Sequence, residues 1–214
     1  MKITNLKIDI GKETIVDNLN LCIDNFKILG FYGPSGSGKT TILNCIGDLL
    51  EYEGSILGID KPISFMFQEN LLFEWFTARE NILFVGKEDD IEKLEIVSGI
   101  LEIDNILDKR ISQLSGGEKD RVSLARALYF NARSILLDEP FKSLDSKLKS
   151  RIIPKIKKFT ENMGAKVIII SHNYEEINLF CDKVVIFDNF PINKAVIKEV
   201  SIEKIKYLSN KRGE

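Results

Sequence analysis

Cysteine, histidine, tryptophan and long apolar runs are all scarce in this chain. The three cysteines, Cys22, Cys45 and Cys181, are odd in number, far apart and in no metal-like spacing. That excludes a disulfide framework and reads as reduced, buried thiols of a cytosolic protein. No apolar run approaches the roughly 20 residues that cross a bilayer. Met1 to Asn5 passes straight into strand-like alternation, without the apolar region of a signal peptide. A net charge of −2 leaves no electrostatic footprint for general nucleic-acid binding. Internal repeats and low-complexity linkers are absent as well, so any action at a membrane runs through a partner. At 214 residues, 44% hydrophobic and 29% charged, the chain has the length and composition of one large domain with room for a subdomain.

What the chain does have is Gly33-Pro34-Ser35-Gly36-Ser37-Gly38-Lys39-Thr40, which matches G-x-x-x-x-G-K-[ST] at every fixed position. The apolar run Ile28 to Tyr32 before it reads as a buried strand. Thr41 to Ile46 after it has helical apolar spacing, and the helix is expected to end near Leu50. Glycines let the backbone curl so that N–H groups point at an anion, and the new helix adds the positive end of its dipole. Lys39 is placed to reach the β- and γ-phosphates of a nucleotide, and the Thr40 hydroxyl to ligate Mg²⁺.

Around that loop the pattern is α/β. Leu6 to Ile10 and Leu19 to Ile23 alternate about a turn at Gly11-Lys12-Glu13, predicting a small antiparallel sheet. Gly54 to Gly58 and Ile63 to Phe67 read as further strands, the second ending at Gln68. Residues 70–115 turn helical, with a capping box at Thr77-Ala78-Arg79-Glu80, and form a helical subdomain inserted into the sheet domain. Ser115 and Glu118, three apart, cap a helix through Leu128 whose glycine-lined start is a second anion site. Ser134 to Asp138 is an apolar strand ending in Asp138-Glu139. Carboxyl ends of parallel strands are where α/β sheets hold ligands, so Asp138 suits Mg²⁺ and Glu139 a water. A basic helix, Lys147 to Phe159, should kink at Pro154. Val167 to Ser171 is a buried strand ending at His172, the single histidine, and Lys183 to Asp188 is another strand.

Phosphate loop, strand-end Gln68, Leu114-Ser115-Gly116-Gly117-Glu118, Asp138-Glu139 and His172 stand in the order of the ATP-binding cassette (ABC) ATPases. The resemblance covers essentially the whole chain. It implies one ABC ATPase domain over residues 1–214, with ATP and Mg²⁺ bound, and a dimer sandwiching two ATP molecules. Each ATP lies on one subunit's residues Gly33 to Thr41 and under the other's Ser115-Gly116-Gly117. By the same resemblance Gln68 contacts Mg²⁺ or the attacking water, Glu139 activates that water and His172 contacts the γ-phosphate. Asp145 couples the two sites. The implied partners are a second ABC ATPase subunit, transmembrane permease subunits and an extracytoplasmic solute-binding protein. The implied place is the cytoplasmic face of the cell membrane.

Gln68 to Leu72 followed by Glu74-Trp75-Phe76-Thr77 is similar to cassettes of nitrate/sulfonate/taurine-type importers. Trp75 either packs inside the helical subdomain or docks a membrane partner. The chain departs from the family pattern in having Ile10 where an aromatic residue commonly stacks on adenine, and Glu118 where glutamine is usual. A regulatory ABC ATPase, an exporter or lipoprotein-type ATPase, and a P-loop kinase are the other readings. The kinase leaves Leu114 to Gly117 unexplained.

Overall fold

The computed structural model describes residues 1–86, 90–187, 191–193 and 195–199. These group into two compact units, residues 1–60 with the return segment from Lys166, and Lys61–Ala165.

The first unit begins with an antiparallel hairpin, β1 (Lys2–Ile10) and β2 (Glu13–Cys22). Ile3, Leu6 and Ile8 are the buried positions of β1. Their uneven spacing follows from a register irregularity between Ile3 and Leu6, where Asn5 takes a φ of 49°. β3 (Ile28–Tyr32) is almost fully buried, as a parallel strand covered on both faces should be. It leads through the glycine loop into α1 (Lys39–Ile46). α1 stops short of the expected end near Leu50. Gly47 caps it, Asp48 turns left-handed, and Leu49 and Leu50 are exposed rather than extending the apolar face. β4 (Glu53–Leu57) then adds to the free side of β1.

In the second unit β5 (Ile63–Met66) pairs in parallel with β6 (Ser134–Asp138). Between them come α2 (Ala78–Leu83), α3 (Ile91–Leu101), two 3-10 turns at Asp104–Ile106 and Ile111–Gln113, and α4 (Gly116–Tyr129). Among the described residues, 70–115 contain no named strand. α2 opens on the expected box, with the Thr77 hydroxyl accepting from the Glu80 N–H and the Glu80 carboxylate accepting from the Thr77 N–H. Leu94, Val97 and Leu101 of α3 and Val122, Leu124 and Leu128 of α4 are buried. α5 (Ser146–Met163) runs unbroken through Pro154. The carbonyl that loses its partner there belongs to Ser150, an exposed residue.

The chain returns to the first unit as β7 (Lys166–Ser171), α6 (Tyr174–Phe180) and β8 (Lys183–Ile186). β3 lies between β7 and β8, parallel to both, with Tyr32 opposite Ser171 on one side and Ile186 on the other. Asp188, the expected end of the last strand, lies outside the described residues. β9 (Val196–Glu199), which the apolar pattern did not predict, pairs antiparallel with β8. Cys45 and Cys181 are buried as expected, but Cys22 is exposed at the end of β2. No helix of the described residues is long and apolar enough to cross a membrane.

Candidate functional site

The glycine loop folds around its own lysine. The Lys39 ammonium is buried and donates to the Gly33 carbonyl at 3.0 Å, the Pro34 carbonyl at 2.6 Å and Ser37 Oγ at 3.1 Å. A Cβ on Gly33 would stand 2.5 Å from the Phe187 carbonyl oxygen, so the end of β8 fixes that position as glycine. Gly38, with φ 84°, would bring a Cβ within 2.8 Å of Ile15 on β2, so the antiparallel sheet backs the loop. Gly38 also caps α1 with no side-chain hydrogen bond, and no acidic residue stands in the first turn. By contrast Thr77, Ser115 and Asp145 cap α2, α4 and α5 with their side chains. An uncapped helix start beside a lysine and left-handed glycines is the chemistry of a phosphate cradle. Pro34, Ser35, Gly36 and Thr40 line it at the surface, and Thr41 is half-buried.

His172 is exposed one residue beyond β7. Since Ser171 pairs with Tyr32, His172 stands level with Gly33 at the start of the loop. The turn that carries it is tied down by its neighbours. Ser171 Oγ donates to the buried Glu176 carboxylate at 2.6 Å and accepts the Asn173 N–H at 2.9 Å. The sequence pattern did not single out Glu176, because its partner lies five residues away across a turn.

In the second unit, Gln68 and the pair Asp138-Glu139 occupy the same carboxyl end of β5 and β6, as the register Met66 to Leu137 requires. Gln68 is exposed and its carbonyl accepts from the Lys142 ammonium. Asp138 is buried and Glu139 is half-buried with φ 50°. Asp145 is exposed and its carboxylate accepts the N–H groups of Lys147 and Leu148, each at 2.9 Å. The second of those bonds is the main cause that holds the Asp145 carboxyl below the ordinary range.

The start of α4 faces outward. Ser115 and Gly116 are exposed, and Leu114 is buried beneath them. Gly117 lies against the Asp145 loop, and its Cβ position is 3.5 Å from the Ser143 carbonyl. The capping box forms as expected, and Ser115 holds the Glu118 carboxyl below its usual range.

Among the described residues no three His, Cys, Asp or Glu side chains cluster to hold a metal ion. The Thr40 hydroxyl, the Gln68 amide and the Asp138 carboxylate are hard oxygen donors, and Mg²⁺ is commonly held by one or two such groups plus substrate phosphates. Taken separately, Thr40 in the first unit and Gln68 and Asp138 in the second each offer the kind of oxygen that Mg²⁺ takes. Trp75 is packed only on one side. Phe73, Trp75, Phe76 and Phe84 form a ring cluster with centroids 4.8–6.1 Å apart, yet Trp75 remains 70% exposed.

This chain is similar to known proteins over most of its length. It is 33% identical over 207 residues to the tungstate uptake system ATP-binding protein of Peptoclostridium acidaminophilum, covering 90% of this chain and 96% of that one. It is 30% identical to the spermidine/putrescine import ATP-binding protein of Mannheimia succiniciproducens, covering 87% of this chain but only 54% of that relative's length. In structure it resembles the ATP-binding cassette MJ0796, solved as a dimer in a post-hydrolysis state with ADP and Pi. The TM-score is 0.76 at 29% identity, over 94% of this chain and 98% of that one. The family model described as ABC transporter matches residues 16–142, more than half of the chain, and the chain therefore belongs to the ABC transporter family.

Proposed function

We propose that the chain binds and hydrolyses Mg²⁺-ATP and energises solute import through separate permease subunits, as the cytoplasmic-face ATPase of a membrane transporter. The observation that carries this is the pairing, in one chain, of a phosphate cradle holding a buried lysine with an outward-facing Ser115-Gly116-Gly117 helix start. Two of its relatives, a tungstate uptake ATP-binding protein and a spermidine/putrescine import ATP-binding protein, support import.

In this reading the Lys39 ammonium leaves the Gly33 and Pro34 carbonyls for the β- and γ-phosphates, and the N–H groups at the start of α1 hold the rest of the chain of phosphates. Thr40, Asp138 and Gln68 would hold Mg²⁺, which would supply positive charge to offset the negative charge of the phosphates. Glu139 orients a water and takes its proton as the water oxygen bonds to the γ-phosphorus. The bond from that phosphorus to the bridging oxygen breaks, and ADP and phosphate result. His172 contacts the γ-phosphate. Residues 115–117 of a second copy close over the nucleotide and Asp145 couples the two sites, within a single ABC ATPase domain whose residues 70–115 form the helical subdomain. The exposed Trp75 cluster supports a permease contact beside Gln68. A solute-binding protein outside the membrane completes the assembly, and nucleic acid has no part in it.

The test is the chain carrying Glu139→Gln, run on a sizing column with ATP and Mg²⁺. A nucleotide-dependent dimer is expected, and it should be lost when Lys39→Ala is added. A chain that stays monomeric at millimolar ATP overturns the sandwich mechanism.

A further inference from the structure

We infer that Glu118 sets the ATP concentration at which two copies close, because its carboxylate already holds the donors of Ser115 that a nucleotide phosphate on the other copy must take. The inference rests on the sandwich reading and deepens it.

The geometry is specific. The Ser115 hydroxyl donates to Glu118 Oε2 at 2.7 Å, and the Ser115 N–H donates to the same oxygen at 2.8 Å. In return the Glu118 N–H reaches Ser115 Oγ at 3.4 Å. A serine hydroxyl has one proton, and here that proton is committed to a carboxylate. A phosphate approaching Ser115-Gly116-Gly117 must displace that oxygen to obtain the hydroxyl and the N–H. It also meets a negative charge lying at the helix start it seeks. Ser115 holds the Glu118 carboxyl below its ordinary range, with smaller contributions from Lys109 and Arg121, so the group is charged at neutral pH. Lys119, the neighbour on α4, is engaged with Glu74 at 3.1 Å.

The same box exists elsewhere in the molecule without that consequence. At α2 the Thr77 N–H and hydroxyl donate to one Glu80 oxygen at 2.7 and 3.0 Å. Its partner sequence, Thr77-Ala78-Arg79, offers no glycine-lined start. One capping arrangement is thus structural, and its twin sits on the segment that closes the nucleotide site. Glutamine serves a capping box as glutamate does. Glu118→Gln therefore keeps the helix start and removes only the charge.

The experiment uses the full chain with Glu139→Gln and compares it with the same chain carrying Glu118→Gln or, as control, Glu80→Gln. Dimer fraction is followed by light scattering across a Mg²⁺-ATP titration at low and at high salt, with a thermal melt of each variant. Glu118→Gln should lower the ATP midpoint by about three- to tenfold at low salt, as expected for like charges at a solvent-exposed site. The difference should shrink at high salt, and Glu118→Gln and Glu80→Gln should lower the melt slightly and alike, each losing one carboxylate at a helix start. Glu80→Gln should leave the midpoint where it was. Equal midpoints with and without Glu118→Gln, or an equal drop from the Glu80→Gln control, overturn the inference and leave the sandwich reading standing. A failure of every variant to dimerise overturns both.

Discussion

Replacing Glu176 tests whether the turn that carries His172 is held as described. The carboxylate is buried, and it receives the Ser171 hydroxyl at 2.6 Å. A hydrogen bond to a charged group contributes about 1.5–3 kcal/mol net. In Glu176→Ala the Ser171 hydroxyl falls back on the Asn173 carbonyl, 3.3 Å away in the parent. Adding the packing lost with the side chain gives a total of about 2–4 kcal/mol. For a chain of this size each kcal/mol moves the melting midpoint by about 2–4 °C, so a fall of roughly 4–16 °C is expected. Glu176→Gln keeps an acceptor and should lose about half as much. Circular dichroism melts measure both. The functional arm is a double-mutant cycle on ATP turnover. Glu176→Ala should slow kcat with KM changed less than about twofold, and should add nothing further in a His172→Ala background. A Glu176→Ala melt within about 1 °C of the parent refutes the stability argument. Additive losses of kcat refute the claim that Glu176 acts through His172.

Three further outcomes follow from the site. Gly33→Ala should abolish nucleotide binding while leaving the far-ultraviolet spectrum intact, since its Cβ would meet the Phe187 carbonyl at 2.5 Å; calorimetric titration with ATP checks this, and unchanged affinity would falsify the packing argument. Ile10 is half-exposed at the end of β1 and supplies no aromatic face for a base, so ATP and GTP should bind with similar affinity. Ile10→Tyr should favour ATP, stacking being worth about 1–3 kcal/mol, and a strong ATP preference in the parent that this change leaves untouched would count against it. Burial pushes the Cys45 thiol up to about 11, and Cys181 is buried too. A disulfide reagent at pH 8 should therefore titrate one thiol, Cys22, and all three only after unfolding; fast labelling of Cys45 in the native chain contradicts its burial.

Local chemistry made much of this legible in advance. The glycine loop, both capping boxes and the apolar strands at 28–32, 134–138 and 167–171 depend on neighbours within a few residues, so spacing alone locates them. Where the outcome depends on packing, spacing misled. Leu49 and Leu50 continue the period of α1, yet they find no core and the helix ends at Ile46. β9 has no pattern of its own that announces a strand and exists as the partner of β8. The Phe187 carbonyl over Gly33, Ile15 behind Gly38 and Lys142 on the Gln68 carbonyl all join distant parts of the chain. No single-sequence periodicity encodes such contacts.

Glu139 sits in the left-handed region, where a side chain other than glycine, asparagine or aspartate is uncommon. Holding an L-residue there costs roughly 1–2 kcal/mol. Glycine at this position would make the folded chain more persistent, and it would remove the carboxylate. With the water-activating role proposed above for Glu139, the residue that stands there trades durability for turnover.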